Sequence, residues 1–213
     1  MCGRYENTTT ADMIAEHFEL GDFYEWLAEF YKPRTEIFPG TNILAINNKY
    51  APENIWWTIR DADWQGTMRD AINAKAETIL KVAMFRNAFK SDRVLIPATA
   101  LFEWQVQSDK SKLKHRIWFD EPLFAFAGVA RDCEIKGETK RCGVILTTSP
   151  NEIFAEIHNT RQRQAVVIRT DDYAKWLDPK TSTEDLKAIM KPLPASETHF
   201  EIAGANSDQA SLF

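Results

Sequence analysis

The spacing of apolar and polar residues along this chain switches repeatedly between a helical and a strand period, and turn residues mark most of the switches. Thr8–Thr10 supply hydroxyls that can cap a helix over Ala11–Phe18, where Met13, Ile14 and Phe18 share one face. A second amphipathic helix is predicted over Asp22–Tyr31, closed by Lys32-Pro33. Pro39-Gly40 marks a turn, and strands follow over Asn42–Ile46 and Asn54–Ile59. Asp61–Met68 reads as a polar loop carrying Trp64. Asp70–Lys75 reads as a short strand that feeds a helix from Glu77 to Phe89.

The second half is strand-rich. Runs with period two or continuous apolar character cover Arg93–Pro97, Leu101–Gln105, Lys114–Phe119, Leu123–Ala130 and Arg141–Thr148. A short helix over Asn151–Ile157 delivers His158, an apolar strand follows over Gln164–Arg169, and helices are predicted at Asp171–Leu177 and Thr183–Met190. Many strands with irregularly interspersed helices predict an α+β fold, with a mainly antiparallel sheet or open barrel flanked by several helices. No repeat or linker divides the chain. Residues 1–213 are therefore expected to form one domain, with a flexible tail from about Ala205.

Composition narrows the function classes. The chain is 44% hydrophobic and 27% charged, as expected of a globular protein. No segment approaches the ~20 apolar residues of a membrane span, and no signal peptide is expected at the N-terminus. Cys2, Cys133 and Cys142 make an odd count without CxxC spacing, which argues against a disulfide framework or a zinc site and for a reducing cytosol. A net charge of −5 argues against coating nucleic acid by bulk electrostatics, although a local basic groove is compatible with it.

Candidate chemistry starts at Met1-Cys2. Loss of Met1 would leave an α-amine and a thiol on adjacent carbons of Cys2, groups that titrate at about 8 and about 8.5. Such a 1,2-aminothiol can close both atoms onto one aldehyde carbon as a thiazolidine. Three other positions draw interest, and each has a commoner explanation. Asn73 could cap a helix. Glu103, between Phe102 and Trp104, could face solvent on an alternating strand. His158 could lie on the surface or cap a helix C-terminus. Lys110, Lys112 and Lys114 read as a solvated loop.

Taken together, these segments resemble a family. Met1-Cys2-Gly3-Arg4-Tyr5, Ile72-Asn73-Ala74-Lys75-Ala76-Glu77-Thr78, Leu95-Ile96-Pro97-Ala98 with Phe102-Glu103-Trp104, Phe126-Ala127-Gly128, and Leu146-Thr147-Thr148 with Ile157-His158-Asn159-Thr160 are similar to SRAP motifs. SRAP proteins are the SOS-response-associated peptidase-like sensors of abasic sites in DNA. The likeness keeps the family's order from Met1 to about Leu177.

The resemblance implies that the protein removes its own Met1 and that the Cys2 amine and thiol trap the open-chain aldehyde of an abasic site as a thiazolidine. It implies Glu103 as the proton carrier at the amine, His158 as the residue that helps open the sugar, and Asn73 as the residue that holds the N-terminal group. Arg4, Lys75, Arg86, Arg161 and Arg163 become candidates for phosphates, Trp64 and Trp104 for base stacking, and Pro39 for a strand wedge. The implied partner is single-stranded DNA containing abasic sites, met in the cytoplasm, the nucleoid or, depending on host, the nucleus, by a monomer that needs no cofactor, metal or membrane.

The chain departs from the family pattern in three places. Tyr-Asn-Ile-Ala-Pro becomes Thr35-Glu36-Ile37-Phe38-Pro39, Trp-Gly-Leu-Ile-Pro becomes Trp57-Thr58-Ile59-Arg60-Asp61, and Arg-Met-Pro becomes Arg163-Gln164-Ala165. The first puts a carboxylate where a neutral amide is expected near the DNA channel. Two other classes compete: a glutamine amidotransferase that uses Cys2 as an N-terminal nucleophile, and a non-catalytic DNA-binding scaffold.

Overall fold

The computed structural model describes residues 2–62 and 65–204. Among the described residues there are fifteen strands and six α-helices. The strands are β1 (Tyr5–Asn7), β2 (Arg34–Ile37), β3 (Asn42–Ile46), β4 (Pro52–Trp57), β5 (Ile59–Ala62), β6 (Met68–Ala71), β7 (Asn73–Lys75), β8 (Arg93–Ala98), β9 (Ala100–Val106), β10 (Lys112–Phe119), β11 (Phe124–Ile135), β12 (Glu138–Thr148), β13 (Gln164–Ala165), β14 (Val167–Ile168) and β15 (Thr198–Ile202). The helices are α1 (Ala11–His17), α2 (Tyr24–Phe30), α3 (Ala83–Ser91), α4 (Glu152–Ile157), α5 (Tyr173–Leu177) and α6 (Thr183–Ile189).

Strands β12, β4, β3, β8 and β11 pair in that order, and β11 pairs back onto β12, so five strands close into a barrel. Its pairings are antiparallel except β12 with β4, where Cys142 lies opposite Trp56. A separate five-stranded sheet runs β15-β10-β9-β1-β2, and β5 pairs with β6 as a hairpin. The fold is α+β and mainly antiparallel, as predicted.

Period two sorts the barrel side chains between two apolar clusters. Ile43, Ala45, Ile55, Val94, Ile96, Phe124, Phe126 and Ile145 pack with Tyr5, Leu101 and Ile117 of the second sheet. Leu44, Ile46, Leu95, Ala125, Ala127, Val144 and Leu146 face the other way, beneath Ile14 of α1, Phe85 and Phe89 of α3 and Trp176 of α5. Two glycines leave room inside. A Cβ on Gly128 would lie 2.7 Å from Ile96 Cδ1, and one on Gly143 would lie 2.5 Å from Ile55 Cδ1 and 3.2 Å from the Val129 carbonyl. Helix ends near the barrel meet at buried Arg93, whose guanidinium donates to the carbonyls of Phe89, Lys90, Trp176 and Asp178.

Several predicted boundaries are corrected. The supposed polar loop over Asp61–Met68 carries the ends of β5 and β6, tied across the hairpin by the Arg60–Asp70 ion pair; Trp64 itself lies outside the described residues. The helix expected from Glu77 begins as a single 3₁₀ turn, Ala76–Thr78, and becomes α-helical only at Ala83. The strand expected over Gln164–Arg169 is divided at Val166, because its first part pairs with β12 and its second with β11. β11 and β12 extend past the predicted ends, to a tight turn at Lys136-Gly137. Strand β10 starts at Lys112, two residues before the predicted strand, so Lys112 and Lys114 lie on a strand instead of in the expected solvated loop. The tail expected from Ala205 lies outside the described residues. No helix among those described is long and apolar enough to cross a membrane.

If Gly143 is required by barrel packing, Gly143→Val should cost about 1–3 kcal/mol, the usual range for overpacking. A urea midpoint equal to that of the parent protein would contradict this placement.

Candidate active site

The N-terminal segment is fixed by pairing. β1 runs antiparallel to β9 with Tyr5 opposite Leu101, and the Phe102 amide donates to the Arg4 carbonyl at 2.9 Å. Residues 2–4 are thereby directed along Phe102–Trp104. Tyr5 anchors the segment, its ring set edge-on against Trp57 at 5.3 Å and Phe126 at 5.6 Å. Trp57 in turn donates its indole N–H to the Ile72 carbonyl at 2.9 Å, which ties in the segment that carries Asn73. Cys2 is fully buried.

Glu103 does face away from Phe102 and Trp104, as strand alternation requires, but that face is covered rather than wet. Only 3% of Glu103 is exposed. The cover is α4, whose N-terminus is capped by Asn151 through Phe154 N at 3.0 Å. Asn151 also donates to the Leu193 carbonyl and Thr198 Oγ1, both at 2.9 Å, so the cap is itself pinned. His158 follows at the C-cap of α4, also buried. Its Nδ1 lies 2.9 Å from the Arg163 carbonyl, which can only accept, so Nδ1 carries the hydrogen. Nε2 then points at Glu103, 3.8 Å from Oε2.

Asn73 is not a helix cap. It sits on β7, opposite Ile145 of β12 in parallel register, and its amide donates to the Ile145 carbonyl at 3.3 Å. Its Oδ1 is buried without a hydrogen-bond partner among the described residues.

Burial governs the electrostatics. It pushes the Glu103 carboxyl up to about 7, against an ordinary value of 4.5. It raises the Cys2 thiol strongly, with the Glu103 charge adding to the effect, so the thiol is protonated at neutral pH. It lowers His158 below its ordinary 6.5, favouring the neutral ring. A carboxyl poised near neutrality beside a neutral imidazole and a thiol can take up and release protons during carbonyl chemistry.

Glu103 and His158 open onto a cleft of about 360 Å³ whose lining also includes Ile72, Trp104, Lys112 and Arg161. Of the candidate nucleic-acid contacts, Trp104 and Arg161 therefore flank the cleft. Arg4 lies beside Trp104, its guanidinium 5.2 Å from that ring and 4.1 Å from the Phe38 ring. Pro39 is half-buried in the turn between β2 and β3, and Lys75 is exposed at the end of β7.

The remaining two arginines have structural partners. Arg86 donates to the Leu80 and Lys81 carbonyls. Arg163 makes a two-pronged ion pair with Glu77, both bonds 2.8 Å, and donates to the Thr147 carbonyl. Lys112 lines the cleft, and Lys114, Glu36 and Phe102 gather beside Arg4 and Trp104; Glu36 is the carboxylate expected near the DNA channel, whereas both lysines are expected in a solvated loop. The alternation Lys112-Lys114-Arg116 along one strand face was the available signal. Among the described residues no group of His, Cys, Asp and Glu is arranged to hold a metal.

The sequence and the fold are each similar to those of known proteins. The sequence model of the family SOS response associated peptidase (SRAP) matches residues 1–204. Abasic site processing protein YoaM of Bacillus subtilis is 32% identical over 207 residues, covering 92% of this chain and 88% of its own length. Abasic site processing protein YedK of Escherichia coli is 23% identical over 199 residues, covering 89% and 85%. A solved protein from Bacteroides thetaiotaomicron superposes with a TM-score of 0.80 at 22% identity, covering 94% of this chain and 91% of the other, and shows the shared fold.

The folded-state pKa of Glu103 is above its ordinary value, so its contribution to stability is complete below about 4.5 and is lost as pH rises through about 7. Glu103→Gln removes that loss. The variant should be more stable than the parent at pH 8, with the gap closing toward pH 4.5 in paired denaturation curves. A gap independent of pH would show that Glu103 does not titrate as described.

Proposed function

The chain belongs to the SRAP family, and from that premise we propose that it captures abasic sites in single-stranded DNA as a covalent thiazolidine on Cys2. The observation that carries this reading is the buried Glu103–His158 pair, 3.8 Å apart, beside buried Cys2 at a cleft flanked by Trp104 and Arg161. The names of YoaM and YedK as abasic site processing proteins support the same substrate.

Hydrolysis of the Met1–Cys2 bond frees the Cys2 amine. The amine must be uncharged to attack, and the Glu103 carboxylate accepts its proton. Nitrogen adds to C1′ of the open-chain sugar to give a carbinolamine. Glu103 returns a proton to the departing hydroxyl, water leaves, and an imine remains. The Cys2 sulfur then adds to the imine carbon while its proton passes to nitrogen, closing the five-membered ring with no further loss of atoms. With a pKa of about 7, Glu103 has both protonation states available for these transfers. His158, held by the Arg163 carbonyl with Nε2 toward Glu103, relays the proton that opens the sugar hemiacetal. Asn73 Oδ1 is an acceptor suited to hold the amine. Trp104 offers a stacking face beside the lesion, and Arg161 and Lys112 offer charge to the backbone.

Denaturing gels that follow adduct formation on abasic single strands test these roles. Cys2→Ala should form no adduct, Glu103→Gln should slow its formation by roughly 10²–10⁴-fold, the range of general acid–base catalysis, and His158→Ala should also slow it. Unchanged rates in the last two variants would overturn the assignments. An abasic site inside an intact duplex should react more slowly, because its sugar must leave the stack. Ammonia release from glutamine without any DNA adduct would favour the amidotransferase reading instead.

A further inference from the structure

Against Trp104, which lines the cleft, two cations and one carboxylate sit in an aromatic frame. Glu36, on β2, accepts at one oxygen from both Arg4 Nη1 at 3.2 Å and Lys114 Nζ at 2.5 Å. The guanidinium of Arg4 lies over Phe38, and Lys114 Nζ lies 4.1 Å from the Phe102 ring centroid; Trp104 is within 6 Å of both cations. Glu36, Arg4 and Lys114 are each about one-third exposed, so solvent reaches the group. Three strands converge to make it: β2 supplies Glu36, β10 supplies Lys114 opposite Trp104 of β9, and Arg4 precedes β1.

Two cationic donors converging on one anionic oxygen, with aromatic faces alongside, is the environment that a backbone phosphate next to a stacked base would require. Among the described contacts, the anion that fills it is the protein's own.

We propose that Glu36 is a built-in phosphate surrogate, which occupies an Arg4–Lys114 phosphate subsite in the free protein and must be displaced when a DNA strand enters. This rests on the reading of the cleft as a single-strand site and adds a determinant of affinity to it. The carboxylate keeps the local charge of the three groups at one positive unit instead of two, so non-specific single strands are held weakly. The chemistry of Cys2, Glu103 and His158 does not pass through Glu36.

The test compares the parent protein with Glu36→Gln, which keeps the shape and removes the charge. Binding of a fluorescent single strand carrying a non-reactive abasic analogue is measured by anisotropy from low to moderate salt. Adduct formation on a reactive abasic strand is followed in parallel over a range of DNA concentration. Glu36→Gln should bind about fivefold more tightly at low salt, as expected for removing one repulsive charge near a phosphate. Its log–log salt dependence should steepen by roughly 0.7, one additional phosphate contact on a single strand. The half-saturating DNA concentration for adduct formation should fall while the saturated rate stays unchanged.

Adding Lys114→Gln should remove most of the gain. Equal or weaker binding by Glu36→Gln, with the parent still cross-linking, would show that Glu36 orients Arg4 and Lys114 and would overturn only this inference. A lower saturated rate would overturn it too, by placing Glu36 in the chemistry. A parent protein that neither binds nor cross-links abasic strands would instead defeat the proposed function, and this inference with it.

Discussion

Glu103 is held on the covered face of β9 with 3% of its surface exposed, and removing a carboxylate that far from water disfavours its charged form. The surrounding structure makes that placement possible. α4 covers the face, its cap Asn151 is fastened to Leu193 and Thr198, and its C-cap residue, His158, turns an imidazole toward the carboxyl. A solvated Glu103 would be ionised at neutral pH and a poor proton donor. The position of α4 over β9 therefore sets the chemical character of the site.

The same economy is visible in the scaffold. The closed barrel gives a rigid wall, and the second sheet carries both β1 and β9, so the N-terminal residues and Glu103 are positioned by one set of backbone hydrogen bonds. Tyr5, Trp57 and Ile72 link that sheet to the β7 segment that bears Asn73. Several cations near the cleft are matched by acceptors of the protein itself. Arg163 is engaged by Glu77 and Thr147, and Arg4 and Lys114 by Glu36, which accords with a net charge of −5.

Much of this was legible in the sequence. The α1 cap at Thr10, the apolar runs of β3, β8, β11 and β12 and the helix before His158 follow from local period and capping chemistry. β1, β2 and β15 were not legible. They are three to five residues long, partly polar, and exist because a neighbouring strand offers hydrogen bonds. The burial of Glu103 was hidden for a related reason. Alternation says which residues share a face, but the cover comes from a helix some fifty positions later. Arg163 looked like a phosphate contact because its Glu77 partner is 86 residues away. The chemistry of Cys2 is legible in the pair Met1-Cys2, but only likeness to a family joins it to Asn73, Glu103 and His158; the fold sets Cys2, Glu103 and His158 side by side and holds Asn73 on β7 against Ile145.

Which atoms join is read directly from mass. Intact-mass spectrometry of the protein after incubation with an abasic single strand should give one adduct, equal to the chain without Met1 plus the oligonucleotide minus one water. Peptide mapping should place it on Cys2. An adduct that retains Met1, that maps elsewhere, or that forms equally well with Cys2→Ala would contradict the account.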